Sequence, residues 1–288
     1  MGCICFVILH YNGIEDTEKC IQSIRQLAGQ EDIRIVIVDN ASPNGTGKLL
    51  AHRYAKEEDI NVLCRNENDG FSKGNNAGCD YALKKWNPEY LVVANNDVIF
   101  AQKEFITLIR ETYEETPFAV LGPDIYNPDR KIHQSPISDT LPDEKQICRT
   151  IFLNRVVLWA FALCYPLMKR YFRNLEVKAG LPHNRNWDDV CVMGACLIFS
   201  REYFGDRDKI FDPETRFYYE ENIMLLWCRK QQKRVLYRPA LQVVHMEGRA
   251  TETVDSDNKN KIKFRMKNIL DSARIYRDYM EKTQCGRA

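Results

Sequence analysis

The run "VVANNDVIF", residues 92–100, places two amides and a carboxylate, Asn95, Asn96 and Asp97, where an apolar segment ends. Such a triplet can close a turn, because Asn and Asp side chains bond readily to nearby backbone. It can equally present a carboxylate to a metal ion at the rim of an open α/β sheet, where ligands sit outside the carboxyl ends of the strands. Two further polar clusters follow apolar runs in the same way: Tyr11-Asn12-Gly13, and Asp39-Asn40-Ala41-Ser42. Between them lies "NENDGFSKGNNAG", residues 66–78. Gly70, Gly74 and Gly78 would permit close backbone approach there, and Lys73 could meet a phosphate at a helix N-terminus. The spacing is neither a Walker loop nor a dinucleotide fingerprint, and a well-capped helix with a polar start explains it as well.

Later in the chain Glu220-Glu221-Asn222 offers paired carboxylates, able to take a proton from an attacking hydroxyl or simply to favour the macrodipole at a helix start. His245 ends a β-branched run, where it could ligate a metal or be a hydrogen-bonded structural residue.

The elements that must carry these groups are readable from periodicity. Residues 5–9, 33–39, 60–64, 90–94 and 118–122 read as buried strands, and 15–28, 68–86 and 103–115 as helices, with another helix opening after "ASPNGTG". This alternation predicts an α/β fold with a doubly wound, mostly parallel sheet flanked by helices. Residues 1–122 form a first, alternating half. Residues 123–189 form a connection, irregular over 123–143 and helical over 145–178. Residues 190–288 form a second half, the C-terminal subregion of one continuous domain. That last half carries a strand at 190–200, a helix near 219–231, strands at 234–237 and 241–245, and a final helix from about 258 to 282.

Bulk properties narrow the class. A net charge of +1 gives no footprint for nucleic acid. Eleven cysteines without a C-x-x-C pair indicate reduced thiols rather than a disulfide framework or zinc site. "CICFVILHY" is too short for a signal peptide and lacks a basic leader. The most apolar run, residues 156–168, is shorter than the ~20 residues a bilayer span needs. A cytoplasmic location is therefore expected. Residues 145–178 carry Lys145, Arg149, Arg155, Lys169, Arg170, Arg173 and Lys178 against Glu176 alone. Such a helix would suit peripheral contact with an anionic membrane, and equally a core or homodimer contact with basic flanks.

Taken in order, "VILHYNG", "IVIVDNAS", "NENDGFSKGNNAG", "VVANNDV", "VMGACLIFSREYF", "FDPETRFYYEEN" and "VVHMEG" resemble the family 2 glycosyltransferases of the GT-A fold. The likeness is greatest to the rhamnosyltransferase-like branch that builds bacterial surface polysaccharides, and it spans nearly the whole chain. It implies an inverting, metal-dependent hexosyltransferase that moves a sugar from a nucleotide-sugar to a hydroxyl of a glycan or polyprenyl-linked acceptor. It makes 1–122 the nucleotide-sugar-binding half and 190–288 the acceptor and catalytic half, and it assigns Asp39 to the base of the nucleotide. It places Tyr11, Asn12, Asn40, Gly70, Phe71, Lys73, Asn75, Asn76, Asn95 and Asn96 around the donor. It gives Asp97, the retained carboxylate of an Asp-x-Asp motif whose first member is Asn95 here, to Mg²⁺ or Mn²⁺ with His245. Glu221 takes the position of the general base, with Glu220 beside it, and Trp187, Gly194 and Ala195 fall on the acceptor side. Two rivals share parts of this pattern. A nucleotidyltransferase would need a Gly-rich basic loop after the first strand, which "HYNGIED" lacks. A non-catalytic nucleotide-sugar or glycan-binding module would keep the pocket without turnover.

Overall fold

In the computed structural model, which describes residues 2–27, 32–161, 163, 165, 180–246 and 259–285, parallel strands set the architecture. Strands β1 (Ile4–His10), β2 (Ile33–Asp39), β3 (Ile60–Cys64) and β4 (Tyr90–Asn95) pair in the order β3-β2-β1-β4, all parallel. β5 (Val98–Ile99), β6 (Val120–Asn127), β7 (Ile132–His133), β8 (Trp187–Asp188), β9 (Cys196–Ser200) and β10 (Val235–His245) complete one ten-stranded sheet. β9 enters antiparallel between β4 and β6, and β10 runs parallel to β6. The short β5, β7 and β8 pair antiparallel at the margins.

Both faces of the sheet are buried, so the strands read as continuous apolar runs instead of alternating ones. Phe6, Ile8, Ile35 and Val92 point to one face, beneath α1 (Ile14–Arg25) and, further along, α4 (Phe105–Glu115). Val7, Val36, Val38 and Val93 point to the other, beneath α3 (Gly70–Trp86) and the helix Glu220–Lys230. α2 (Thr46–Arg53) follows β2. α5 (Glu144–Trp159), started by an Asp143–Gln146 capping box, pairs with the C-terminal helix Lys259–Cys285 in a smaller core of Ile147, Ile151, Leu270 and Tyr276.

Several expected elements shift. The strand expected at 190–200 is regular only from Cys196, because residues 190–195 leave the sheet to cross its rim. The strands expected at 234–237 and 241–245 are one strand, with its register shifted between Arg238 and Gln242 around Pro239, which has no N–H for the ladder. The expected strand 118–122 starts at Val120 and runs on to Asn127, inside the segment read as irregular, with β7 hydrogen-bonded to it. Of the helix expected over 145–178, α5 is present, while 162, 164 and 166–179 lie outside the described residues, with Lys169, Arg170, Arg173, Glu176 and Lys178 among them.

Gly78 shows how α3 reaches the sheet. A Cβ there would lie 2.5 Å from Val7 Cγ1 and 2.7 Å from Val38 Cγ2. Gly74 likewise sits on Leu9. Both glycines serve helix–sheet packing, not approach to a phosphate. Helix propensity alone would make Gly78→Ala stabilising by about 1 kcal/mol. The contact predicts the opposite sign, a loss of about 1–3 kcal/mol, read as a lower midpoint in chemical denaturation.

Candidate functional site

Register brings the polar clusters together. His10 pairs with Asp39 across β1–β2, and Leu9 with Asn95 across β1–β4, so the three strands end at one level of the sheet. Tyr11 and Asn12 follow β1 at that rim. Tyr11 is exposed, and Asn12 takes a left-handed φ of 63°, which Asn tolerates better than most residues. Its amide N–H donates to Ser42 Oγ at 2.9 Å, and its buried Oδ1 makes no hydrogen bond. Asp39 accepts from Ser42 N at 3.1 Å and Ser42 Oγ at 2.5 Å, against the start of α2, where a Cβ on Gly47 would collide with its carboxylate.

Beneath the rim runs a belt of hydrogen bonds. The buried ring of His10 contacts Thr17 Oγ1 at 2.7 Å and Thr46 Oγ1 at 2.9 Å, and burial lowers its pKa, which favours the neutral imidazole. Asn96 Nδ2 donates to the same Thr17 hydroxyl at 2.9 Å and to Gly13 O at 3.2 Å. His10 was missed in the sequence because it looks like the last residue of a strand. Its signal was a titratable side chain closing an apolar run.

The loop 66–71 is held from both sides. Asn40, 3% exposed, donates to Asn68 Oδ1 and Gly70 O at 3.1 and 3.0 Å and accepts from Asp69 N at 3.1 Å. Gly70 has a φ of 82° and lies under Arg216, whose Cγ would be 2.3 Å from a Cβ there. Phe71 N donates to Arg216 O at 2.8 Å, and the Phe71 ring meets Phe211 edge-on at 5.2 Å. Asn76 exchanges two hydrogen bonds of 2.9 Å with the backbone of Phe211, and Ser72 Oγ pairs with Thr215 Oγ1 at 2.8 Å. Asn40 and Asn76 thus spend their amides on shaping the loop. Asn75 is buried, with Nδ2 bonded to Phe71 O at 3.0 Å and Oδ1 unbonded, while Lys73 stands exposed on the first turn of α3.

The same clamps aim the carboxylate pair. The segment that Asn76, Ser72 and Phe71 strap onto α3 continues into Tyr218 and Tyr219, with φ values of 72° and 68°. Two successive bulky residues in the left-handed region store strain, a feature that clusters at functional sites. Ser272 Oγ bonds Phe217 O at 2.7 Å, and Tyr219 stacks on Tyr276 of the C-terminal helix. The turn delivers Glu220 and Glu221 to the start of their helix.

Glu221 Oε1 accepts from Gly194 N at 3.1 Å, and Ala195 O accepts from Asn95 N at 3.0 Å. One dipeptide therefore ties the second glutamate to the end of β4. A Cβ on Gly194 would sit 2.5 Å from the Glu221 oxygen. Burial raises the pKa of both glutamates, opposed at Glu221 by backbone N–H groups that include Gly194. Glu220, 5% exposed with Oε1 unbonded, is pushed to about 8 by burial and then by Glu221.

Asp97 meets His245 because β5 pairs antiparallel with the end of β10, and Met246 N donates to Asp97 O at 3.0 Å. Asp97 Oδ1 lies 3.1 Å from His245 Nε2. Gln134 Oε1 contacts Nδ1 at 2.8 Å and accepts its proton, so Nε2 turns a lone pair or a second proton toward the carboxylate. Two Lewis bases side by side suit a shared cation. Among the described residues no group of three His, Cys, Asp or Glu gathers, so a hard ion would draw its remaining oxygens from water and ligand phosphates. Trp187 is not brought to this cluster. It pairs with Tyr237, which the β6 register puts five residues, roughly 16 Å, below His245, and its indole N–H is bonded to Pro182 O.

The sequence matches the family described as Glycosyl transferase family 2 over residues 5–207. It is 22% identical, over 96% of its length and 78% of the relative's, to Agl10, a low-salt glycan biosynthesis hexosyltransferase of Haloferax volcanii. The crystal structure of residues 1–349 of Staphylococcus aureus TarS superposes with a TM-score of 0.53 at 14% identity, over 93% of this chain and 70% of that one. The mannosyltransferase PcManGT of Pyrobaculum calidifontis, solved with GDP-Man and Mn²⁺, gives 0.53 at 11%, over 95% and 69%. At these identities the structures establish a shared fold, the mixed α/β GT-A type.

The environment of Glu220 sets a pH signature. A carboxyl whose pKa is higher folded than unfolded binds more protons in the folded state, so stability falls as pH rises from the ordinary carboxylate range through about 8. Glu220→Gln removes the ionisation. Its melting temperature should match the wild type near pH 5 and exceed it by a few degrees at pH 8. Parallel Tm–pH curves for the two proteins would contradict the assignment.

Proposed function

The chain belongs to glycosyl transferase family 2, and from that premise we propose that it transfers a sugar from a nucleotide-sugar to a hydroxyl of a glycan or lipid-linked saccharide, inverting the anomeric carbon. The observation that carries this reading is the placement of Glu221. It is a half-buried carboxylate with a raised pKa, tied through Gly194 and Ala195 to the strand end that bears Asp97. A base whose pKa approaches the working pH is matched to removing a hydroxyl proton in the transition state.

In this mechanism the acceptor oxygen attacks the anomeric carbon as the bond from that carbon to the diphosphate oxygen breaks. The electron pair leaves with the diphosphate and the acceptor proton passes to Glu221. Glu220, held neutral by burial and by its neighbour, keeps a second negative charge away from the base. Asp39 and Asn12 line the rim where the nucleoside would lie. Asn40, Asn76 and Asn96 act one step back, holding the loop and the strand end. Asp97 and His245 would hold Mg²⁺ or Mn²⁺, whose chemistry is to neutralise charge on the diphosphate. The Mn²⁺ and GDP-Man in the PcManGT structure support that choice of cofactor and donor class, and the hexosyltransferase name of Agl10 supports glycan assembly.

Thermal unfolding against a panel of nucleotide-sugars with Mn²⁺ identifies the donor, because a ligand stabilises the state it binds. Asp97→Ala should lose the metal-dependent part of that stabilisation and keep its fold. Full stabilisation in that variant would remove the ion from the mechanism. Nucleoside diphosphate release with acceptor should fall at least ~10²-fold in Glu221→Gln while donor binding persists. Glu220→Gln should cost less. Normal turnover by Glu221→Gln would refute the assignment of the base.

A further inference from the structure

α5 carries an apolar face that nothing among the described residues covers. Ile147 and Ile151 turn inward to the C-terminal helix. Phe152, Val156 and Trp159 turn outward, spaced four and three residues apart, and are 66%, 43% and 89% exposed. Leu163 continues the stripe at 84%, and Leu153 flanks it at 47%. An exposed tryptophan and phenylalanine two turns apart on a single face are not what a solvated helix presents.

The surroundings of the stripe are basic. Between its cap region and Trp159, α5 has Lys145, Arg149 and Arg155 exposed, with Glu144 its single acid, in the first turn. A groove of about 520 Å³ opens beside the stripe, with Arg155 on its wall and Arg277 opposite, the latter paired with Asp278 at 3.2 Å and Glu281 at 3.5 Å. The C-terminal helix runs antiparallel to α5, its Ile262 and Met266 packing on Phe161 while Leu270 and Tyr276 pack near Ile147. Its start therefore lies at the Trp159 end, and it adds exposed Lys263, Phe264 and Lys267. Further basic residues follow α5 in the sequence.

We propose that this face docks on an anionic lipid bilayer, with α5 lying in the plane of the headgroups. Exposed aromatic residues at one level with basic residues around them match the amphipathic composition of an interface, where rings sit among headgroups and cations meet lipid phosphates. Charge is what selects this occupant. A second copy would bring the same basic residues against each other, whereas an anionic surface neutralises them. Among the described residues no helix is long and apolar enough to cross a membrane, so the contact is peripheral. The purpose of the surface rests on the transferase reading, since it would hold the enzyme where a lipid-linked acceptor resides. The adsorption itself does not.

Flotation of the full chain with vesicles tests it, using phosphatidylcholine alone and an equimolar mixture with phosphatidylglycerol. The wild type should float with the mixed vesicles, weakly with the neutral ones, and progressively less as salt rises. Phe152→Glu with Trp159→Glu should lower partition at least ~10-fold. Phe152→Leu with Trp159→Leu should retain most of it, and nucleoside diphosphate release with a water-soluble acceptor should be unchanged in both double variants. Failure to float, equal flotation on both vesicles, or a dimer in sedimentation velocity that the Glu variant dissolves would each overturn the proposal. Flotation by a protein that turns over no nucleotide-sugar would leave the surface standing and sink only the transferase reading.

Discussion

A carboxylate half withdrawn from water needs a donor, and the amide of Gly194 answers Glu221. Much of the site depends on making that bond possible. Residues 190–195 must leave the sheet at the rim, so that Gly194 faces the helix Glu220–Lys230 while Ala195 still receives the amide of Asn95. The segment before Glu220 must reverse through two left-handed tyrosines, and five separate bonds from α3 and the C-terminal helix hold it in that reversal. A charge left without its donor at that half-buried place is destabilising, so a loss of geometry there is a loss of stability as well as of chemistry. Gly194 has no side chain because the carboxylate occupies the space.

The two sides of the site are built differently. The rim around Asp39 is a fixed floor: parallel register sets the level, and the His10–Thr17–Thr46 belt locks the first turn of two helices to the end of β1. Its polar residues divide into those at the rim, such as Asp39 and Asn12, and those consumed below it, such as Asn40, Asn76 and Asn96. The Asp97–His245 pair comes from the sheet's far half, where β10 ends beside β5. Placing Asp97 directly after a strand of the first half and His245 at the end of the last strand makes the pair conditional on the whole sheet being assembled.

The first half was legible in the sequence because strands buried on both faces and amphipathic helices leave strong, long patterns. β1 to β4 fall within a residue or so of their expected bounds. The short strands β5, β7 and β8 have two residues each and no pattern of their own; they exist because a neighbour offers an edge. Pro239 made one strand look like two. The strand-end carboxylates and amides were visible by type, but not which of them would be spent internally. Asn40 and Asn76 became clamps on loops distant in sequence, and Gly74 and Gly78 answer to valine and leucine side chains of the sheet, neither of which a linear pattern encodes. The acceptor-side reading of Trp187 came from resemblance alone, and the sheet puts its partner Tyr237 level with Val93, two residues below Asn95 and five below His245.

The proposed transfer is one displacement, with Glu221 taking the acceptor's proton and no sugar bound covalently to the protein between donor and product. The anomeric configuration of the first-formed product, read by NMR against that of the donor during the initial turnovers, tests this most directly. The structure-based mechanism predicts inversion, β from an α-linked donor or the reverse. A product with the donor's configuration would contradict it, since retention requires two displacements or a front-face path in which Glu221 is not the base.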